Sequence, residues 1–239
     1  MALDETIFRS TLSGKAPLTV RLYTWLRPTL SIGFRQALDD VCDLSRCGER
    51  GIDVVRRMTG GRAVLHHDEL TYCVAGRAEG VLARRSVREL YGRVTGVIRA
   101  ALAEVEIPLD PPPSRMDEGR GREAPSSLPC FAVPTGHEIT TGGRKLVGSA
   151  QKWSRSGFLQ HGSILLRVDP VLWQDVTPLP EGGGLGPVGV HELCRKPFGI
   201  TRLVDALVEA FGGLLGEPPS EQGLSPWEIE TARALAHLK

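Results

Sequence analysis

Apolar and polar positions along the chain alternate between two periods, and the changes of period mark out its elements. Residues 1–12 predict a short amphipathic helix with Ile7 and Phe8 at its centre. Over residues 18–25 the pattern is two-fold, with Leu18, Val20, Leu22 and Thr24 set against Thr19, Arg21, Tyr23 and Trp25. That is the signature of a strand, whose successive side chains point to opposite faces. Residues 30–34 predict a second strand, followed by a short helix near 36–41. Three further short strands are expected at 52–56, 63–66 and 70–74, separated by Thr59-Gly60-Gly61 and His67-Asp68-Glu69. The strongest signal is helical: Val87, Leu90, Tyr91, Val94, Val97, Ile98, Ala101, Leu102 and Val105 recur at spacings of three and four, while Arg85, Arg93 and Arg99 fall off the stripe. Such a helix is expected to pack across a sheet.

Residues 110–129 break the pattern. They hold Pro111-Pro112-Pro113, several charges and few apolar groups, so they bury too little surface to offset ordering entropy and are expected to form a mobile loop. Strands are expected again at 137–140, 145–153 and 158–166, joined by Gly142-Gly143 and Ser156-Gly157. Residues 181–189 are glycine-rich and read as a loop. Leu203, Val204, Leu207, Ala210, Phe211, Leu214 and Leu215 predict a helix. A last helix starts at Ser225, with Pro226 in its first turn and Glu228 closing a capping box. No internal repeat is present. The order of elements predicts an α+β fold of mixed, mainly antiparallel sheets flanked by helices, with residues 1–239 as one domain and its C-terminal helices at about 200–239.

Composition narrows the function classes. The 239 residues are 41% hydrophobic and 24% charged, with 29 basic against 28 acidic side chains. A net charge of +1 asks for neither nucleic acid nor an anionic membrane. No apolar run reaches the roughly 18 residues of a spanning helix. Asp4 and Glu5 near the start are unlike a secretory signal. Five cysteines without CxxC spacing suit neither a disulfide framework nor a zinc knuckle, so a cytoplasmic protein without metal or cofactor is expected.

Two patches carry candidate chemistry. In the first, Arg56 to His66, a Gly-Gly turn between strands allows close backbone approach to an anion or a carbonyl, although such turns most often only connect strands. The second runs Gly143-Arg144-Lys145-Leu146-Val147-Gly148-Ser149-Ala150-Gln151. Here a lysine enters a strand of small residues beside a slot able to admit an extended chain, and an ordinary hairpin explains the same letters equally well.

Together the patches resemble the lipoate-protein ligase and octanoyltransferase superfamily. The arginine pair, Thr59-Gly60-Gly61 and His66 are similar to one of its motifs, and Lys145 with Gly148-Ser149-Ala150-Gln151 to another. The strand Leu159-Gln160-His161-Gly162-Ser163, the opening residues Met1 to Glu5, and Ser31-Ile32-Gly33-Phe34-Arg35-Gln36 resemble further segments in the same order, over residues 1 to about 175. The resemblance implies the biotin/lipoate protein ligase-like fold, related to that of class II aminoacyl-tRNA synthetases.

The superfamily contains ATP-dependent ligases and ATP-independent acyltransferases. Ligases usually carry a third glycine where this chain has Arg62, and longer ones add an accessory domain for which too little chain remains. Cys130, in Ser126-Ser127-Leu128-Pro129-Cys130-Phe131, resembles the nucleophile of the LipM-type octanoyltransferases and of the related LipL-type amidotransferases. The resemblance then implies an octanoyl group carried as a thioester on acyl carrier protein, moved to Cys130, and passed to a lysine of a glycine-cleavage H protein or a lipoyl domain. Lys145 is expected to stabilise the thiolate. Arg57, Thr59, Gly60, Gly61, Arg62, His66, Gly148, Ser149 and Ala150 are expected to bind substrate. An ATP-dependent lipoate ligase, an amidotransferase taking octanoyl from H protein, and an inactive carrier-binding module are the alternatives.

Overall fold

A computed structural model of the chain describes residues 1–79, 86–112, 138–176, 186–194 and 198–237. Among the described residues eight strands form two sheets. The larger has the order β1 (Thr19–Tyr23), β5 (Glu69–Arg77), β8 (Gly157–Leu165), β7 (Arg144–Trp153), β6 (Ile139–Thr141), and all its neighbours are antiparallel. In the smaller, β2 (Thr29–Ile32) lies between β3 (Asp53–Arg56), to which it is parallel, and β4 (Val64–His66), to which it is antiparallel.

Strand alternation decides what each face of the large sheet touches. Leu70, Tyr72 and Val74 of β5, with Phe158 and Ile164 of β8, join a core shared with α3 (Val87–Glu104) and α6 (Ile200–Leu215). The intervening Cys73 and Ala75, with Leu159, pack against Ile7 and Phe8 of α1 (Ala2–Leu12). The small sheet has its own core of Leu30, Ile32, Val64 and Leu65, joined by Leu165 from the large one. A mixed α+β fold of mainly antiparallel sheets flanked by helices is therefore present.

The stripe on α3 behaves as its spacing requires. Leu90, Val94, Ile98 and Leu102 are buried, each contributing about 1.5–3 kcal/mol by removal from water, as an upper range. Ser86 caps the helix by accepting from the Glu89 N–H at 3.0 Å. Val87, in the first turn, stays exposed. The capping box of α7 (Pro226–His237) is also present: Ser225 Oγ accepts from the Glu228 N–H at 3.3 Å, and Glu228 accepts from the Ser225 N–H at 2.8 Å.

Three features differ from the sequence expectation. Residues 36–41 form turns, and the helix comes later, at α2 (Leu44–Glu49). The reason is Asp43, whose Oδ1 accepts from the Ser45 and Arg46 N–H groups and fixes the start there. Strand β5 extends beyond 70–74 in both directions, because the Glu69 carboxylate finds buried partners and Gly76 lets Leu18 approach; a Cβ at Gly76 would lie 2.4 Å from Leu18 Cδ1. Two short helices, α4 (Pro170–Val176) and α5 (Val190–Leu193), carry too little periodicity to be predicted. The expected mobile loop lies outside the described residues from 113 onward.

Candidate functional site

Where the two sheets face each other, small and polar residues replace the apolar core. Thr71, Ser163 and Gly148 lie side by side across β5, β8 and β7, and the next row holds Cys73, His161 and Ala150. Ser31 and His66 approach from the small sheet. Between these groups is a small cavity, with Arg57, Gly61 and Val64 among the residues lining it. Glycine and alanine on β7 leave the space that larger side chains would fill.

Arg57 ties the turn that forms the near wall. It is buried, and its guanidinium donates to the carbonyls of Gly60 (3.0 Å), Arg62 (2.5 Å) and Ser31 (2.9 Å). Gly61 adopts φ +90°, a conformation that disfavours a Cβ. Gly33 is pressed against it so closely that a Cβ there would lie 2.0 Å from the Gly61 carbonyl oxygen. The turn is therefore rigid, and Arg57 acts on it through backbone carbonyls.

Two buried histidines line the cavity, each held at both ring nitrogens or close to it. Arg57 Nη1 donates to Ser31 Oγ at 3.0 Å, and the Ser31 hydroxyl is hydrogen-bonded to His66 Nε2 at 2.7 Å. His66 Nδ1 then donates to Glu69 Oε1 at 2.8 Å. The hydroxyls of Thr71 (2.5 Å) and Ser163 (2.8 Å) donate to the same oxygen, and Trp25 stacks on the His66 ring at 4.3 Å. Glu69 Oε2 has no hydrogen-bond partner among the described residues. His161 Nε2 is 2.7 Å from Thr59 Oγ1, and its Nδ1 lies 3.5 Å from Asp4 Oδ2. Asp4 is also bound by Arg21 (2.6 Å) and Tyr23 (2.9 Å). Burial drives the Asp4 carboxyl upward, but the His161 imidazole, the N-terminal ammonium and the Arg21 guanidinium outweigh it and hold the group well below the usual carboxylate range. Burial also holds the His161 imidazole below its ordinary value, against the pull of Asp4.

Lys145 is fully buried three residues before Gly148 and forms an ion pair with Glu138, itself almost buried. Pairing between β6 and β7 passes from Ile139–Val147 to Thr140–Lys145, so β7 carries one extra residue at this point. A bulge of this kind re-aims side chains, which takes Lys145 out of the alternation of the rest of β7. Because β6 ends there, β7 beyond Val147 has no strand on its outer edge among the described residues, and the Ser149 carbonyl accepts from the Tyr91 hydroxyl at 3.4 Å.

Cys130 lies outside the described residues. The other four cysteines are poor nucleophiles: burial pushes the thiol of Cys73 well up, that of Cys47 to about 11, and those of Cys42 and Cys194 up as well. Among the described residues no cluster of metal-ligating side chains occurs, and no helix is long and apolar enough to cross a membrane.

Of the residues expected to bind substrate, Arg57, Gly61, His66, Gly148, Ser149 and Ala150 line the cavity. Gly60 and Arg62 border a neighbouring groove, and Thr59 sits behind His161. The Ser149 hydroxyl is held by Tyr72 at 2.6 Å. Sequence reasoning did not single out Ser31, Glu69 or Asp4. Only an unusual run of polar residues on predicted strands (Ser31, His66, Thr71, Ser163) hinted at a buried polar seam.

The sequence pattern of the lipoyl protein ligase A/B catalytic domain matches residues 1–212. The chain belongs to that family. Similar members include proteins named octanoyltransferase LipM. That of Kyrpidia tusciae is 38% identical over 247 residues, covering 98% of this chain and 89% of the relative. That of Moorella thermoacetica is 44% identical over 169 residues, covering 71% of this chain but only 61% of the relative. Among solved structures, a lipoate-protein ligase A bound with ATP superimposes with a TM-score of 0.82 at 23% identity, over 100% of this chain and 88% of that one. A bipartite lipoate protein ligase from Thermoplasma acidophilum gives 0.75 at 19% identity, over 100% and 86%. At these identities the structures establish the biotin/lipoate ligase-like fold and nothing further.

Proposed function

We propose that this chain is a single-domain cytoplasmic octanoyltransferase of lipoate biosynthesis, moving an octanoyl group from acyl carrier protein to a lysine of an H protein or lipoyl domain through a thioester on Cys130. The observation that carries the reading is the 38% identity to an octanoyltransferase LipM over nearly the whole of both chains.

The chemistry runs in two displacements. The Cys130 thiolate attacks the thioester carbonyl, the carrier thiolate leaves, and one thioester replaces another at almost no cost. The acceptor amine then attacks the acyl-enzyme, giving an amide and returning the thiolate, which is downhill. No ATP is consumed. Lys145 supplies the cation that favours thiolate over thiol, and Glu138 keeps it in place. Backbone N–H groups of β7 past Gly148 are the donors for the developing oxyanion. The Gly60-Gly61 turn and His66 shape the acyl cavity.

The test is transfer from octanoyl-acyl carrier protein to apo H protein without nucleotide. Octanoylated acceptor is expected. Acceptor modified only when ATP and free lipoate are added would replace this reading with that of a ligase.

A further inference from the structure

Next to the cavity an open groove crosses the surface, and Gly61 lines both. Among the described residues its lining carries three cations, Arg35, Arg62 and Lys152, against one carboxylate, Asp40. In a chain with a net charge of only +1 this is a local excess. The loop bearing Arg35 is braced from beneath: Arg56 Nη1 donates to the carbonyls of Gly33 (3.0 Å), Phe34 (3.3 Å) and Gln36 (2.7 Å). Phe34 is 56% exposed, and Lys152 Nζ lies 5.3 Å from its ring centroid. Met58 and Val41 add apolar surface to the lining, and the exposed Arg35 puts positive charge at its rim.

We infer that this groove holds the phosphopantetheine arm of the acyl donor, with its phosphodiester at Arg35, Arg62 and Lys152 and its thioester delivered past Gly61. The assignment rests on the proposed function and decides between its two donors. An octanoyl group on an H-protein lysine is joined by a neutral amide and offers nothing to three cations. A phosphodiester offers a fixed negative charge. The free acceptor lysine, itself a cation, is repelled by the same rim and enters elsewhere.

The experiment compares KM for octanoyl-pantetheine, which lacks the phosphate, with KM for octanoyl-phosphopantetheine, using H protein as acceptor. The native enzyme is expected to favour the phosphorylated donor about tenfold, less at high salt. In the Arg35→Ala/Lys152→Ala double variant that ratio falls toward one, whereas Arg46→Ala, a cation removed from α2, leaves it intact. A native KM indifferent to the phosphate, or a ratio unchanged in the double variant, overturns the groove assignment. So does ATP competing with the donor in the native enzyme and not in the variant, which would make the groove a nucleotide site. Absence of transfer from either donor and from octanoyl-acyl carrier protein would instead count against the proposed function itself.

Discussion

Glu69 is the residue on which the polar seam between the sheets depends. Its carboxylate is buried and accepts on one oxygen from His66, Thr71 and Ser163. Glu69→Ala leaves those three donors without their shared acceptor. An unsatisfied buried donor costs about 1–3 kcal/mol, so with partial rearrangement among themselves the loss should be about 3–5 kcal/mol. Glu69→Gln keeps an acceptor oxygen at the same place and exchanges charged hydrogen bonds for neutral ones, which should cost about 1–2 kcal/mol. Urea denaturation followed by tryptophan fluorescence measures both, and Trp25, stacked on His66, reports from the seam itself. If Glu69→Ala lost less than about 1 kcal/mol, or no more than Glu69→Gln, the carboxylate would not be organising this network and the reasoning would fail.

Other expectations follow from single contacts. Gly33→Ala should prevent native folding or cost at least about 3 kcal/mol, because its Cβ meets a backbone oxygen at 2.0 Å, while Gly60→Ala, with open space at that position, should stay soluble with a nearly native melting temperature. Ser225→Ala should cost about 1 kcal/mol in thermal or urea melts by removing the cap of α7; no change would mean that the helix end frays anyway. Stability should decline as pH falls below about 6.5, since the unfolded chain takes up the proton that folded His161 refuses, and decline again below about 4, when the unfolded Asp4 carboxylate protonates and the folded one resists. Urea midpoints at pH 7.5, 6 and 5 measure the first step, and His161→Gln should flatten it; an equal slope in both proteins would contradict the burial argument.

How much of this was legible in the sequence depended on the range of the interactions. The α3 stripe, the strands β7 and β8 with the Ser156-Gly157 turn between them, and the Ser225 capping box are written in residues close together in sequence, and each is found where expected. The two motif patches, some 85 residues apart in sequence, converge on one cavity. The partners that fix them were not legible. Asp4 reads as an ordinary acid in the first turn of a helix, and only the packing of α1 on β5 and β8 brings it to Arg21 and Tyr23 of the neighbouring β1. Glu69 reads as part of a polar break between strands, because its three donors come from His66, Thr71 and the distant Ser163. The extra residue that re-aims Lys145 leaves no mark on periodicity, since a bulge is defined by the partner strand.

The central claim is an acyl-enzyme on Cys130. Intact-protein mass spectrometry after mixing the enzyme with octanoyl-acyl carrier protein, in the absence of ATP, tests it directly. An added octanoyl mass is predicted, absent in Cys130→Ser and discharged by apo H protein. Octanoyl transfer that persists in Cys130→Ser, or transfer by the native enzyme with no adduct at any time point, would contradict it.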